Sequence, residues 1–120
     1  MKIALDAMGS DQGATPLVEG AVMAARRYHC STILVGREHS LRRLLRVFKY
    51  DGKLISIEPC SQVVSMGASP KDSLKLTDSS VAVAARLVKE GKADAMVSAG
   101  NSGCTLAHCM KSWRRMKGIN

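Results

Sequence analysis

Short apolar runs alternate along this chain with stretches in which apolar residues recur every three or four positions. The first run, Met1 to Ala7, places Ile3 and Leu5 on one face of a short buried strand and breaks at Met8-Gly9-Ser10-Asp11-Gln12-Gly13. Thr15 as an N-cap, with Pro16 at the first helical position, then predicts a helix whose apolar stripe is Leu17, Ala21, Ala24 and Tyr28. Thr32 to Val35 predicts a second strand, broken by Gly36. A basic helix follows from about Ser40 to Phe48, turning Leu41, Leu44, Leu45 and Phe48 inward, and Lys53 to Glu58 reads as a third strand.

Pro59 to Thr77 is weakly patterned and contains Gly67 and Pro70. It is too long for a simple connection in a compact domain, and loops of that length are often functional. Asp78 is expected to cap a helix from Ser79 to Glu90, with Val81, Ala84, Ala85 and Val88 as its stripe and Gly91 closing it. Ala95 to Val97 predicts a fourth strand. Beyond it Leu106, Cys109, Met110, Trp113 and Met116 keep helical spacing, with Lys111, Arg114, Arg115 and Lys117 nearby. Strands that alternate with helices pair in parallel and carry helices on both faces, so the expected fold is a three-layer α/β/α sandwich. The loops after Ala7 and after Val97 fall at the carboxyl edge of that sheet, where such folds bind ligands.

A chain of 120 residues is enough for one domain that needs no disulfide or metal to hold it. The composition, 46% hydrophobic and 23% charged, is that of a globular protein, but only 3% is aromatic, so the core must be aliphatic. No apolar run approaches the roughly 20 residues that span a bilayer. Asp6 comes too early for a secretory signal, and a cytoplasmic location is expected. Cys30, Cys60, Cys104 and Cys109 lack the spacing of a disulfide framework and are expected to stay thiols. Eighteen basic against ten acidic residues give a net charge of +8, which favours an anionic partner without choosing one. The scarcity of aromatic stacking platforms argues against nucleic acid.

Val97-Ser98-Ala99-Gly100-Asn101-Ser102-Gly103 sets small polar residues where a helix begins. Backbone N–H groups there lack intrahelical partners and attract anions, so the stretch reads either as an anion loop or as an ordinary capped turn. It is neither a Walker loop nor a dinucleotide fingerprint. Asp6 and Asp11 end the first strand, and a carboxylate facing an anion serves better as an organiser of the loop than as a ligand. Cys104, His108 and Cys109 share a helix face, but a fourth ligand and a second element are missing for zinc, and no metal is expected. Arg37, Arg42, Arg43, Arg46 and Lys49 form a basic cluster whose simplest role is a solvated outer face. His29 and His39 are also read as solvated.

Several stretches in order resemble the phosphate acyltransferases of bacterial phospholipid synthesis, the PlsX family. They are Met1 to Asp11, Asp78-Ser79-Ser80, Val88 to Ala95, Val97 to Gly103 and Arg115 to Ile119. The resemblance covers the whole chain and corresponds to the N-terminal third of a family member. It implies a fold similar to phosphotransacetylases and isocitrate-dehydrogenase-like enzymes, and transfer of a fatty acyl group from acyl carrier protein to inorganic phosphate. It implies no cofactor, a homodimer, a location peripheral to the inner face of the membrane and association with a membrane-bound glycerol-3-phosphate acyltransferase. Asn101, Ser102 and Lys75 would then act in catalysis. Asp6, Gly9, Asp11, Asp78, Ser79, Ser98, Gly100 and Gly103 would bind phosphate and substrate. Arg42, Arg43 and Arg46 would suit the acidic carrier protein. The chain departs from the family at Ser10, where a glycine is usual, at Gln12, where Asn is usual, and in Leu74 to Thr77, which is one residue shorter and poorer in cations. Lys111 and Ser112 replace apolar residues. A non-catalytic fragment that serves as a binding module is the competing expectation.

Overall fold

The computed structural model describes residues 1–9 and 13–113. Its elements in order are β1 (Lys2–Asp6), α1 (Thr15–Tyr28), β2 (Ser31–Gly36), α2 (Glu38–Leu45), β3 (Ile55–Pro59), α3 (Pro70–Ser73), α4 (Ser80–Lys89), β4 (Ala95–Ser98) and α5 (Ser102–Ser112). The strands form one parallel sheet in the order β3-β2-β1-β4. Each strand-to-strand connection carries a helix, as parallel pairing requires.

Alternation along the strands assigns each face its helices. Leu5 and Leu34 point to one side and pack with Val18, Ala21, Val22 and Ala25 of α1 and Leu41 and Leu45 of α2. Ala4, Ile33 and Val35 point to the other side and meet Val83, Ala84 and Leu87 of α4. A third cluster, Val64, Val81 and Cys104, joins α5 to α4 beneath the long loop. Burying a Val or Leu side chain stabilises by about 1.5–3 kcal/mol, so these aliphatic faces hold helices whose own propensity is modest. Three layers result, as the alternation of elements predicts.

Differences from the sequence expectations lie mainly in helix faces and caps. Thr15 is the first residue of α1 rather than its cap, which falls on Ala14 with no side-chain bond, because Pro16 is equally tolerated one position later. The buried stripe of α1 is Val18, Ala21, Val22 and Ala25, and Tyr28, in the last turn of the helix, is 75% exposed. Ser79, not Asp78, caps α4, accepting from the Ala82 N–H. The long connection contains the single turn α3 and a parallel bridge between Gln62 and Ser79, so it is structured rather than open. In α5 the interior positions are Cys104 and His108, while Leu106 and Met110 are exposed. A histidine is accepted inside because its Nε2 meets the Ser73 carbonyl at 3.1 Å. Met116 and the basic residues from Arg114 lie outside the described residues, as do Ser10 and Gln12. No helix among the described residues is long and apolar enough to cross a membrane.

Candidate functional site

The sheet reverses its direction of growth between β1 and β4. The chain leaves β1 for α1 on one face and leaves β4 for α5 on the other, and the two loops meet at the switch point, the place where open parallel sheets bind ligands. Register sets Asp6 opposite Ser98 at the carboxyl end of these strands. Asp6 is buried, yet its carboxylate is well served. Oδ1 accepts from the Met8 N–H at 3.2 Å and Oδ2 from the Ser98 hydroxyl at 2.9 Å. Ser98 Oγ in turn accepts from the Gly100 N–H at 3.2 Å. One chain of hydrogen bonds thereby links the ends of β1 and β4 to both loops.

Close approach accounts for the glycines. A Cβ on Gly9 would lie 3.0 Å from Asp6 Oδ2 and 3.1 Å from the Gly100 Cα. The space enclosed by Asp6, Gly9, Ser80, Gly100, Asn101 and Thr105 is about 10 Å³. That is about the room one water needs, so a phosphate enters only if the loops part.

Asn101 has a different task from the one its motif suggests on its own. Its Oδ1 caps α5 by accepting from the Cys104 N–H, and its Nδ2 donates to the carbonyls of Met66 and Ala68 at 2.8 and 2.9 Å. The side chain clamps the long loop onto the start of α5, and Cys104 Sγ adds a contact to the Ala68 carbonyl. Ser102 is exposed on the first turn of α5, and a Cβ on Gly103 would touch the Pro70 ring.

Asp6, Gly9, Ser98, Gly100 and Asn101 are therefore brought together. Lys75, Asp78 and Ser79 do not line this cleft. Lys75 is exposed and lies 3.9 Å from Asp72. Asp78 accepts from the hydroxyl and N–H of Ser61 at 2.6 and 2.9 Å, which holds its carboxyl below the usual carboxylate range. Asp11 lies outside the described residues. Ser80 and Thr105 line the cleft although sequence reading passed over them. Ser80 directly follows the Asp78-Ser79 pair and was missed because the helix starts one residue later than expected. Cys60, buried behind the site, has its thiol pushed up to about 11 by burial and then by the Asp78 and Asp6 charges. Among the described residues no three potential metal ligands converge. Cys104, His108 and Cys109 instead contact Ala68, Ser73 and Met96.

The family described as "Fatty acid synthesis protein" matches residues 1–120, the whole chain. The phosphate acyltransferases of Pelobacter propionicus and Geobacter sulfurreducens are 47% and 45% identical to it over 121 residues, covering all of this chain and 35% of their own length. The chain belongs to the phosphate acyltransferase family.

A more distant phosphate acyltransferase, from Heliobacterium modesticaldum, is still 41% identical with 36% of its length covered. The chain thus spans about a third of the length of the phosphate acyltransferases it matches, and within that third lie both loops of the cleft.

Proposed function

We propose that this chain carries the phosphate-binding part of an acyltransferase that moves a fatty acyl group from acyl carrier protein to inorganic phosphate. The observation that carries the reading is the Asp6–Ser98–Gly100 hydrogen-bond chain at the sheet's switch point, in a chain matched from end to end by acyltransferases. A phosphate oxygen attacks the thioester carbonyl carbon, the tetrahedral adduct collapses, the carbon–sulfur bond breaks, and the pantetheine thiolate leaves with the electron pair. Acyl phosphate is the product. Phosphate is itself the nucleophile, so no acyl-enzyme is required, and the protein's part is to position reactants and stabilise developing charge. The N–H groups of Ser102 and Gly103 at the start of α5 supply donors, and Asp6 acts through Ser98, which accepts from the Gly100 N–H, to hold the loop that presents them. In this reading Arg42, Arg43 and Arg46, all exposed on or just beyond α2, meet the acidic carrier protein.

The competing reading, a binding module without turnover, draws support from the closed cleft and the engaged Asn101 amide. Incubating the chain with acyl carrier thioester and phosphate, and trapping acyl phosphate with hydroxylamine, separates the two. The acyltransferase reading expects product, reduced on the order of tenfold to a hundredfold by Ser98→Ala through misplacement of the loop that Ser98 holds. A folded chain that binds the carrier yet forms no acyl phosphate favours the module.

A further inference from the structure

Toward the C-terminal ends of α4 and α5 lies another recess of about 180 Å³, whose walls include Thr77, Arg86, Lys89, His108, Lys111 and Ser112. Three cations from two helices converge there. Three basic side chains elsewhere sit beside carboxylates: Arg42 at 2.8 Å from Glu38, Lys75 at 3.9 Å from Asp72, Lys92 at 3.8 Å from Glu90. Among the described residues Arg86, Lys89 and Lys111 have no such partner within 4.0 Å. Asp78, the carboxylate influenced by Arg86, is bonded to Ser61.

A helix C-terminus attracts a cation, which accounts for Arg86 and Lys89 on α4 and Lys111 on α5 taken one at a time. It does not account for all three facing one space in which like charges repel. His108 forms a neutral wall: burial, the largest cause, lowers its pKa, and its Nε2 is held by the Ser73 carbonyl. The hydroxyls of Thr77 and Ser112 add donors at the rim. Arg86 supplies a planar fork that suits paired oxygens, and the lysines supply point charges. The recess is small beside the roughly 300–1,000 Å³ of pockets for drug-sized ligands, a size that suits a phosphate or diphosphate.

We propose that this recess binds a small phosphoryl anion, at a site separate from the cleft between β1 and β4. The site stands whether or not phosphate is also the nucleophile in that cleft, because none of the six residues lines the cleft.

Titration of the 120-residue chain with inorganic phosphate, diphosphate and methyl phosphate, followed by ¹H–¹⁵N NMR, tests it. Expected are saturable shifts at Thr77, Lys111 and Ser112 and at the Arg86 side-chain N–H. Affinity should weaken about tenfold in Arg86→Gln and in Lys111→Gln, with a smaller loss in Arg86→Lys. Saturation by all three ligands identifies a site open to esters, and saturation by phosphate and diphosphate alone identifies one for the free anion. Shifts that grow linearly without saturating, or that stay within residues 98–104, overturn the proposal. So does unchanged affinity in Arg86→Gln or Lys89→Gln with a native amide spectrum.

Discussion

Ser98 donates its hydroxyl proton to the Asp6 carboxylate across 2.9 Å while accepting from the Gly100 N–H, linking strands whose residues are 92 positions apart. Ser98→Ala leaves a buried carboxylate oxygen and a loop N–H without this partner. A loss of about 1–3 kcal/mol is expected, read as a lower urea midpoint with an unchanged slope.

Gly9 and Gly100 let the two loops touch. Gly9→Ala presses a methyl group against Asp6 Oδ2 and the Gly100 Cα, and a destabilisation of about 1–3 kcal/mol is expected from overpacking. Gly20, within α1, has open space where its Cβ would stand, so Gly20→Ala should stabilise by about 0.5–1 kcal/mol. Thermal unfolding of both variants checks the opposite signs.

Asn101 joins the α5 cap to the long loop. Asn101→Ala removes the cap at a cost of about 0.5–2 kcal/mol. Asn101→Asp keeps the cap acceptor but turns a carboxylate oxygen toward the Met66 and Ala68 carbonyls. Hydrogen exchange should therefore quicken around residues 66–68 in both variants, and around Cys104 and Thr105 only in Asn101→Ala.

His108 has its pKa lowered below 6.5, first by burial and then by Lys111, against the opposing bond to Ser73. The unfolded chain therefore binds the proton more readily, and the stability that neutral His108 contributes is present above pH 6.5 and lost as pH falls through the folded-state value. The stability advantage of the native chain over His108→Gln should shrink as pH is lowered from 7 to 5. Denaturant titrations at several pH values read that difference, and an advantage independent of pH would contradict it.

Cysteine reactivity should follow thiolate content. Burial raises the Cys60 thiol to about 11 and raises Cys109 as well, whereas Cys30 is only half-buried. Iodoacetamide at pH 8 should modify Cys30 before Cys60 and Cys109, as mass spectrometry of timed digests would report.

Much of this architecture was legible in local pattern. Apolar runs separated by helical spacing place all four strands and the four longer helices, and alternation of the two kinds implies the parallel sheet, because both signals depend on near neighbours in the chain. Helix faces were less legible. Leu106 and Met110 fit an apolar stripe, but they face outward because α5 contacts α3 and α4 through Cys104 and His108, and that choice is made by elements distant in sequence.

The candidate site divides in the same way. Small polar residues after β1 and β4, with the sheet rule, bring Asp6, Gly9, Ser98, Gly100 and Asn101 to one edge from sequence alone. The tertiary structure decided what each side chain does there: Asp6 and Ser98 bond each other because register sets them opposite, and Asn101 holds the long loop because that loop folds back over α5. It also separated Lys75 and Asp78 from the cleft and gathered Arg86, Lys89 and Lys111 around another. Local pattern records which backbone a segment prefers, whereas hydrogen-bond partners and charge clusters depend on which segments meet, and that is set only when the layers pack.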